Sequence, residues 1–241
     1  VTGISTGLTQ GFSIQLSQYY GAKDFENLRK SLAHSYRLTA FIAAGVLILS
    51  QSFASLVLTG LHTPSNIIGM SLLYLRIIFC GIPATAAYNM FASALRAMGN
   101  SKTPLTAMII ASVLNVSLDI LFVAGFGWGV AGAAIATVIA QSFSAVYCFL
   151  ILRRIDIVHL TRADFMPASG MNARLMKLGI PVVFQNIIIG VGGLVVQYVI
   201  NGYGFLFVAG FTATNKLYGL LEMAAISYGY ALSLIHISEP T

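Results

Sequence analysis

The chain has 241 residues, of which 57% are hydrophobic and only 8% are charged. Soluble domains carry roughly a quarter charged residues, so this composition excludes an ordinary water-soluble protein and indicates an integral membrane protein. The net charge of +6 is distributed between apolar runs and forms no patch, which argues against nucleic acid as a partner.

Apolar runs of the length of a membrane helix follow one another along the chain. A helix that crosses a bilayer needs about 20 mostly apolar residues. On that template we predict an all-α membrane protein, a polytopic transmembrane helix bundle, with spans at 1–20, 35–60, 67–95, 104–125, 130–152, 175–200 and 207–232. The first span is the least apolar, which favours a place inside the bundle. Its Gly3, Gly7 and Gly11 share one helical face, on which a neighbouring helix can approach closely.

The connections between these spans alternate between basic and uncharged. One set contains ten basic residues: Lys23, Arg29, Lys30, Arg96, Lys102, Arg153, Arg154, Arg162, Arg174 and Lys177. The other set is uncharged and comprises Leu61–Asn66, Phe126–Gly129 and Asn201–Phe205. Basic residues concentrate in cytoplasmic loops, so we expect the charged loops to be cytoplasmic.

The longest connection divides the chain. It joins Arg153 to Met171, and we predict that 153–174 is a cytoplasmic linker between two membrane lobes, formed by 1–152 and 175–232. Transporters are often built from such repeated halves. Gly81-Ile82-Pro83 and Gly179-Ile180-Pro181 are consistent with an internal repeat and equally with two independent Pro-containing helix starts or kinks.

Both ends of the sequence predict a fragment. The chain begins at Val1 inside a helical pattern, without Met or a signal peptide. Residues 233–241 differ in character from the preceding span and resemble a translated sequencing adapter. We expect these nine residues to be foreign, and the alternative is a genuine short C-terminus.

Ionisable residues inside spans are costly and by default mark function. Arg37 lies near a cytoplasmic end and can extend to the interface, whereas Arg76, Asp119, Lys216 and Glu222 need partners or water. Glu222 is six residues from Lys216, on a different side of the helix, so we expect no pair between them. Glu222 either lines a cavity in the second lobe or has its partner elsewhere in a longer chain.

Asp119 is the most informative of these residues. Asn115 lies one helical turn earlier and shares its face. A carboxylate beside an amide carbonyl offers hard oxygen ligands, which suit Na⁺ or a proton. The alternative is a structural ion pair between Asp119 and Arg76, and the two roles are compatible.

Other chemistry finds little support in the sequence. Cys80 and Cys148 lie inside apolar runs and indicate neither a disulfide framework nor a zinc site. The sequence contains no phosphate-binding loop or metal-ligand cluster, which disfavours ATP-driven transport and enzymatic activity. We therefore expect no cofactor apart from a coupling ion.

Five stretches of the sequence together resemble one family. They are Ser17–Asp24, Tyr74–Ile77, Leu95–Pro104, Asn115–Asp119 and Trp128–Thr137. In this order, over most of 1–155, they are similar to the MATE (multidrug and toxic compound extrusion) family. The resemblance implies a twelve-helix antiporter with two six-helix lobes. This chain would run from the second helix to the eighth, giving one nearly complete six-helix lobe plus the start of a second.

The resemblance also implies a cation site. In the family's N-terminal lobe, an Asn and an Asp one turn apart on the fifth helix meet a Thr on the sixth. These positions match Asn115, Asp119 and Thr137 here, and Tyr74 falls near the same cavity. The remaining carboxylate of that site belongs to the first helix, which this sequence lacks.

The function expected from this resemblance is cation-coupled export, driven by Na⁺ or H⁺, of small organic substrates, cationic or amphipathic in character. We expect a multi-pass monomer in the plasma membrane, surrounded by membrane lipid. The alternative is a lipid-linked oligosaccharide flippase of the same superfamily, which would need basic groups for a pyrophosphate. Only Arg76 and Lys216 are available, against Asp119 and Glu222, which favours export. A non-transporting scaffold predicts no deep carboxylate.

Overall fold

The protein folds as a bundle of long helices. The computed structural model describes residues 2–60, 68–166, 170–201, 203 and 205–238, and every regular element within them is helical. The α-helices are α1 (Thr2–Gly21), α2 (Phe25–Gly60), α3 (Ile68–Cys80), α4 (Ile82–Ala97), α5 (Lys102–Asp119), α6 (Gly129–Arg153), α7 (Met171–Asn201) and α8 (Phe205–Ser238). A π-helical turn, Ile120–Gly125, extends α5, and two 3₁₀ turns, Asp156–Val158 and Arg162–Phe165, lie in the linker. The predicted all-α fold is confirmed.

Five segments are long and apolar enough to cross a membrane, judged by length and composition over the described residues. They are Phe25–Leu56, Ile68–Ala97, Lys102–Gly125, Gly129–Arg153 and Met171–Ile200. All seven predicted spans are helical over their described residues, but α1, the most polar of them, and α8 are not among these five. The chain is therefore a multi-pass membrane protein.

Helix α2 begins ten residues before the predicted span. Asp24 precedes it, and the Asp24 carboxylate accepts a hydrogen bond from the backbone N–H of Asn27 at 3.1 Å. This is the geometry of a helix N-cap, in which a side chain satisfies a backbone donor that the helix leaves free. The cap allows polar residues to form the first turns, so α2 extends beyond the apolar run that set the predicted boundary.

The predicted span 67–95 is interrupted at Gly81, between α3 and α4. Pro83 lies in the first turn of α4, where its missing N–H costs no intrahelical hydrogen bond. At the end of α3, the Gln51 amide donates to the carbonyl oxygen of Arg76 at 2.9 Å. A Cβ on Gly81 would lie 2.8 Å from a methyl group of Val138, so this break also lets α6 pass close by.

The glycine face of α1 packs against α7. A Cβ on Gly11 would lie 2.3 Å from Cα of Gly179, and one on Gly7 would lie 3.0 Å from the backbone of Val183. Asn186 of α7 donates a hydrogen bond to the carbonyl oxygen of Gly3 at 3.2 Å, at the N-terminal end of this contact between α1 and α7. The close approach predicted for this face is confirmed, and α7 is the helix that makes it.

The linker packs on the basic end of α2. Arg29 lies 3.9 Å from the buried carboxylate of Asp164, and Arg37 donates to the carbonyl oxygen of Phe165 at 3.2 Å. The ring nitrogens of buried His34 lie 2.7 Å from Oδ1 of Asn172 and 3.1 Å from the Met166 carbonyl oxygen. These contacts place the linker and the α1–α2 connection at the same end of the bundle.

The predicted foreign tail, 233–241, is only partly described. Helix α8 continues through Ser238, so the backbone remains helical for six residues of that segment. The side chains of 233–238 and the whole of 239–241 lie outside the described residues, as does the uncharged loop 61–66. The foreign origin of the tail stays a prediction.

Candidate functional site

The candidate site lies where α5 packs against α6. Asn115 of α5 donates a hydrogen bond from Nδ2 to the hydroxyl oxygen of Thr137 on α6, at 3.5 Å. The Thr137 hydroxyl donates its own proton to the carbonyl oxygen of Ala133 at 3.0 Å, one turn earlier in α6. Because its proton is directed at that carbonyl, the Thr137 hydroxyl oxygen faces Asn115 as an acceptor. The structure thus brings two of the predicted site residues into contact.

Asp119 is the last residue of α5, one turn beyond Asn115, and is half-buried. Its Oδ1 atom is shielded from solvent and has no hydrogen-bond partner among the described residues. A buried oxygen of this kind calls for a proton, an ion or an ordered water. Carboxylate, amide and hydroxyl oxygens are the ligands that hard cations prefer, so Asp119, Asn115 and Thr137 fit a Na⁺ or proton site.

The backbone also changes form at this point. The turn that follows Asp119, Ile120–Gly125, is π-helical, and such turns frequently occur at functional sites. Helix α6 passes close to it, since a Cβ on Gly132 would lie 2.9 Å from Cβ of Phe122 and 3.2 Å from its carbonyl carbon. The glycine therefore permits the wider π-helical turn to pack directly on α6.

A cavity of about 350 Å³ opens at Asn115 and Thr137, between α1, α4, α5 and α6, and Asp119 is not among the residues that line it. Its lining is rich in hydroxyl and amide groups and contains no charged side chain: Thr6, Thr85, Tyr88, Asn89, Met108, Ala111, Ser112, Asn115, Thr137, Ala140, Gln141 and Ser144. Thr85 donates a hydrogen bond to Oε1 of Gln141, which links α4 to α6 across the wall. The cavity offers hydrogen-bonding groups without a fixed charge.

Most of this polar wall was not predicted from the sequence. Uncharged polar residues inside apolar runs do not stand out as Asp119 does, because their burial is less costly. A signal was nevertheless present, since Thr85 and Asn89 are four residues apart, as are Thr137 and Gln141. That spacing places each pair on one helical face.

Two predicted residues on α3 lie elsewhere. Tyr74 is 37% exposed and is not part of the cavity wall. Arg76 is exposed, and no ion pair joins it to Asp119 in the described part of the chain. The expected contributions of Tyr74 and Arg76 to the site therefore stay predictions.

The acidic residue of the last helix is also remote from the cavity wall. Glu222 and Lys216 are both exposed on α8, and within the described residues no ion pair joins them. Helix α8 packs against α1 and α7. A role for Glu222 in a second cavity stays a prediction.

Comparison with known proteins gives matches over most of the chain. The family model MatE matches residues 1–121. The "Probable multidrug resistance protein YpnP" of Bacillus subtilis is 32% identical over 94% of this chain and 51% of its own length. The "Multidrug export protein MepA" of Staphylococcus saprophyticus is 24% identical over 88% and 48%. The chain thus spans about half the length of these relatives.

A solved structure has the same fold. The "Crystal structure of MATE in the bent conformation" superposes with a TM-score of 0.90 at 22% identity. The superposition covers 98% of this chain and 54% of that chain. At this level of identity the likeness establishes the arrangement of helices alone.

Proposed function

The chain belongs to the MatE family, and we propose that the full-length protein is a cation-coupled antiporter, driven by Na⁺ or H⁺, that exports drugs or other organic compounds across the plasma membrane. Its relatives include proteins named for multidrug resistance and multidrug export. The observation that carries the proposal is the buried Oδ1 of Asp119, which has no partner among the described residues and lies one turn from Asn115, whose contact with Thr137 is in the wall of a polar cavity.

Asp119 supplies the coupling in this proposal. With a proton or cation bound, its charge is compensated, and Asn115 and Thr137 provide adjacent oxygen ligands. Without one, a carboxylate charge is left in a poorly solvated region, where it attracts a cationic substrate more strongly than it would in water. Since one negative charge favours one cation at a time, binding of substrate and of the coupling ion oppose each other, as antiport requires.

In the proposed topology, two membrane lobes are joined by a cytoplasmic linker. Helices α1–α6 form most of one lobe, 153–174 is the linker, and α7 and α8 begin the second lobe. The basic loops lie on the cytoplasmic side, in keeping with the packing of the linker on the basic end of α2. The substrates are small organic molecules, cationic or amphipathic, and the protein acts as a monomer.

The uncharged cavity wall supports export over the flippase alternative. A lipid-linked pyrophosphate carries several negative charges and would need Arg or Lys side chains for charge-assisted hydrogen bonds. The residues that line the cavity include neither. The nearby ionisable residue is Asp119, whose charge would repel a pyrophosphate.

The test is Asp119→Asn in the full-length protein, assayed as drug export from vesicles under an imposed Na⁺ or H⁺ gradient. Asn preserves volume and one oxygen but cannot titrate, so coupled export should be lost while the protein remains folded in the membrane. Asp156→Asn is the matched control, because Asp156 is fully exposed in the linker and should be dispensable. Export by Asp119→Asn at the parent rate would refute the coupling role.

Thermal stability separates this role from simple pairing. If Asp119 mainly neutralised Arg76, its replacement would leave an uncompensated charge and destabilise the protein by about 3–5 kcal/mol. A coupling residue predicts lost export with a melting temperature close to that of the parent.

A further inference from the structure

A second cavity lies at the periphery of the bundle, in a groove between α2, α4 and α6. Its volume is about 360 Å³, and its lining is almost entirely apolar, dominated by alanines and aromatic rings. It is separate from the candidate site, because α4 contributes Pro83, Ala87 and Phe91 to this groove and Thr85 and Asn89 to the polar cavity. At 100° per residue these two sets lie on opposite faces of α4.

The groove is open at the surface of the described bundle. Ala40, Ala44, Pro83 and Phe149 line it and are exposed at the surface of the bundle. All four belong to segments long and apolar enough to span a membrane. The medium around such segments is hydrocarbon, so a groove that stays uncovered at this depth would face acyl chains.

The dimensions of the groove match one lipid chain in one leaflet. On α2 its lining runs from Tyr36 to Leu47, which corresponds to about 16 Å at 1.5 Å per residue. That is about half of the roughly 30 Å hydrocarbon core of a bilayer. Distributed over this length, the volume corresponds to a channel about 5 Å wide, which one extended hydrocarbon chain would fill.

The groove has a polar end. Three aromatic rings lie at this end, next to the basic end of the bundle. Tyr36 and Phe91 pack edge to face with ring centroids 5.4 Å apart, and the centroids of Phe91 and Phe149 lie 5.3 Å apart. Arg153 follows Phe149 by four residues on α6, so it extends the same face by one turn toward the basic end of the bundle. Arg153 is exposed, and its guanidinium has no partner within the described residues.

A buried hydroxyl adds a third polar group. Thr39 lines the groove and is only 9% exposed, and its Oγ1 has no hydrogen-bond partner among the described residues. It lies one turn inward from Tyr36, below the aromatic end. A lipid ester carbonyl at this depth would accept the hydrogen bond that Thr39 otherwise lacks.

We propose that this groove binds an anionic phospholipid, with one acyl chain along α2, an ester carbonyl at Thr39 and the phosphate at Arg153. The length of the apolar lining accommodates one acyl chain. The guanidinium of Arg153, unpaired within the described residues, gives the preference for a negatively charged headgroup. The site goes beyond the transport function, since it lies on the opposite face of α4 from the polar cavity.

The test measures lipid retained by the purified full-length protein in native mass spectrometry, with phosphatidylglycerol and phosphatidylcholine of identical acyl chains. The parent should retain phosphatidylglycerol in preference. Arg153→Gln should reduce that preference about five-fold, the effect of one basic residue near a membrane surface. Arg154→Gln, its exposed neighbour on a different helical face, is the matched control and should retain the preference.

Two further variants test the chain and the ester. Ala44→Leu fills the groove at an exposed position that tolerates a larger side chain, and should reduce retention of both lipids without changing their ratio. Thr39→Val, which removes only the hydroxyl, should also lower retention of both. Equal retention of the two lipids by the parent, or an unchanged preference in Arg153→Gln, would overturn the phosphate contact. Full retention by Ala44→Leu would overturn the groove as the binding site, and no retained lipid in the parent would overturn the proposal as a whole.

Discussion

The close contact between α1 and α7 can be tested with three Gly→Ala substitutions on α1, which differ in how closely the added Cβ approaches α7. A Cβ on Gly11 would lie 2.3 Å from Cα of Gly179, more than 1 Å inside the 3.4 Å at which ordinary contact begins. One on Gly7 would lie 3.0 Å from the backbone of Val183, and one on Gly3 would meet a side-chain atom at 3.6 Å. Gly11→Ala therefore forces two backbones apart, Gly7→Ala requires a shift of a few tenths of an ångström, and Gly3→Ala fits as it stands.

The expected effect combines two opposing contributions. Overpacking a close contact typically destabilises by about 1–3 kcal/mol. Replacing a helical Gly with Ala stabilises the helix by about 1 kcal/mol. Gly11→Ala, with the shortest contact, should therefore lower the free energy of unfolding by up to about 2 kcal/mol. Gly7→Ala should lower it less, and Gly3→Ala should leave it unchanged or raise it.

The assay is unfolding of the purified full-length protein in detergent, followed by the loss of helical signal. Gly45→Ala is the matched control, since nothing lies within 4 Å of the added Cβ and only the propensity gain remains. Equal destabilisation by Gly11→Ala and Gly45→Ala would indicate a general effect of the substitution. Equal stability of the Gly11, Gly7 and Gly3 variants would refute the close approach of α1 and α7.

Two other predictions concern the basic end of the bundle. Asp24→Ala removes the N-cap of α2 and should lower the free energy of unfolding by about 1 kcal/mol. Hydrogen bonds from the side chain and backbone of Asn27 lower the pKa of Asp24. The stabilising contribution of the Asp24 carboxylate is therefore complete above the usual carboxyl value of 3.8 and is lost as the pH falls below it. Unfolding measured between pH 6 and 3 should show this loss in the parent and not in Asp24→Asn. His34→Ala removes the contact with Asn172 and should speed proteolysis within 156–166, whereas an unchanged cleavage rate would show that His34 does not secure the linker.

The helical elements could be predicted from hydropathy alone, while several of their ends could not. An apolar run of about 20 residues is sufficient to predict a membrane helix, since the bilayer sets the length. The first turns of α2 are polar, and its start depends on the side-chain hydrogen bond of Asp24. The break at Gly81 coincides with Pro83 in the first turn of α4. Near it, Gln51 donates to the carbonyl oxygen of Arg76, 25 residues later in the chain, and this contact between helices has no local signature in the sequence.

In the candidate site, too, local features could be predicted from the sequence and contacts between helices could not. The spacing of Asn115 and Asp119 predicts a shared face, because helical periodicity is a local property. The contact of Asn115 with Thr137 requires α5 to pack on α6, and from the sequence it was accessible only through family resemblance. The hydrogen bond between Thr85 and Gln141 joins residues 56 positions apart and has no local signature beyond the spacing of polar residues on each helix.

By itself, the sequence determined that this protein is a multi-pass helical membrane protein with a deep acidic residue, because composition and helical periodicity depend only on neighbouring residues. It also determined that α1 has a face of glycines. Only the tertiary structure decided that α7 occupies this face, with Gly179 against Gly11. It alone decided that Oδ1 of Asp119 has no hydrogen-bond partner within the described part of the chain. The contact of α1 with α7 and the surroundings of Asp119 both depend on residues that are far apart in the sequence. Their positions are set by the packing of the whole bundle, because a shift of a few ångströms in one helix changes which groups meet.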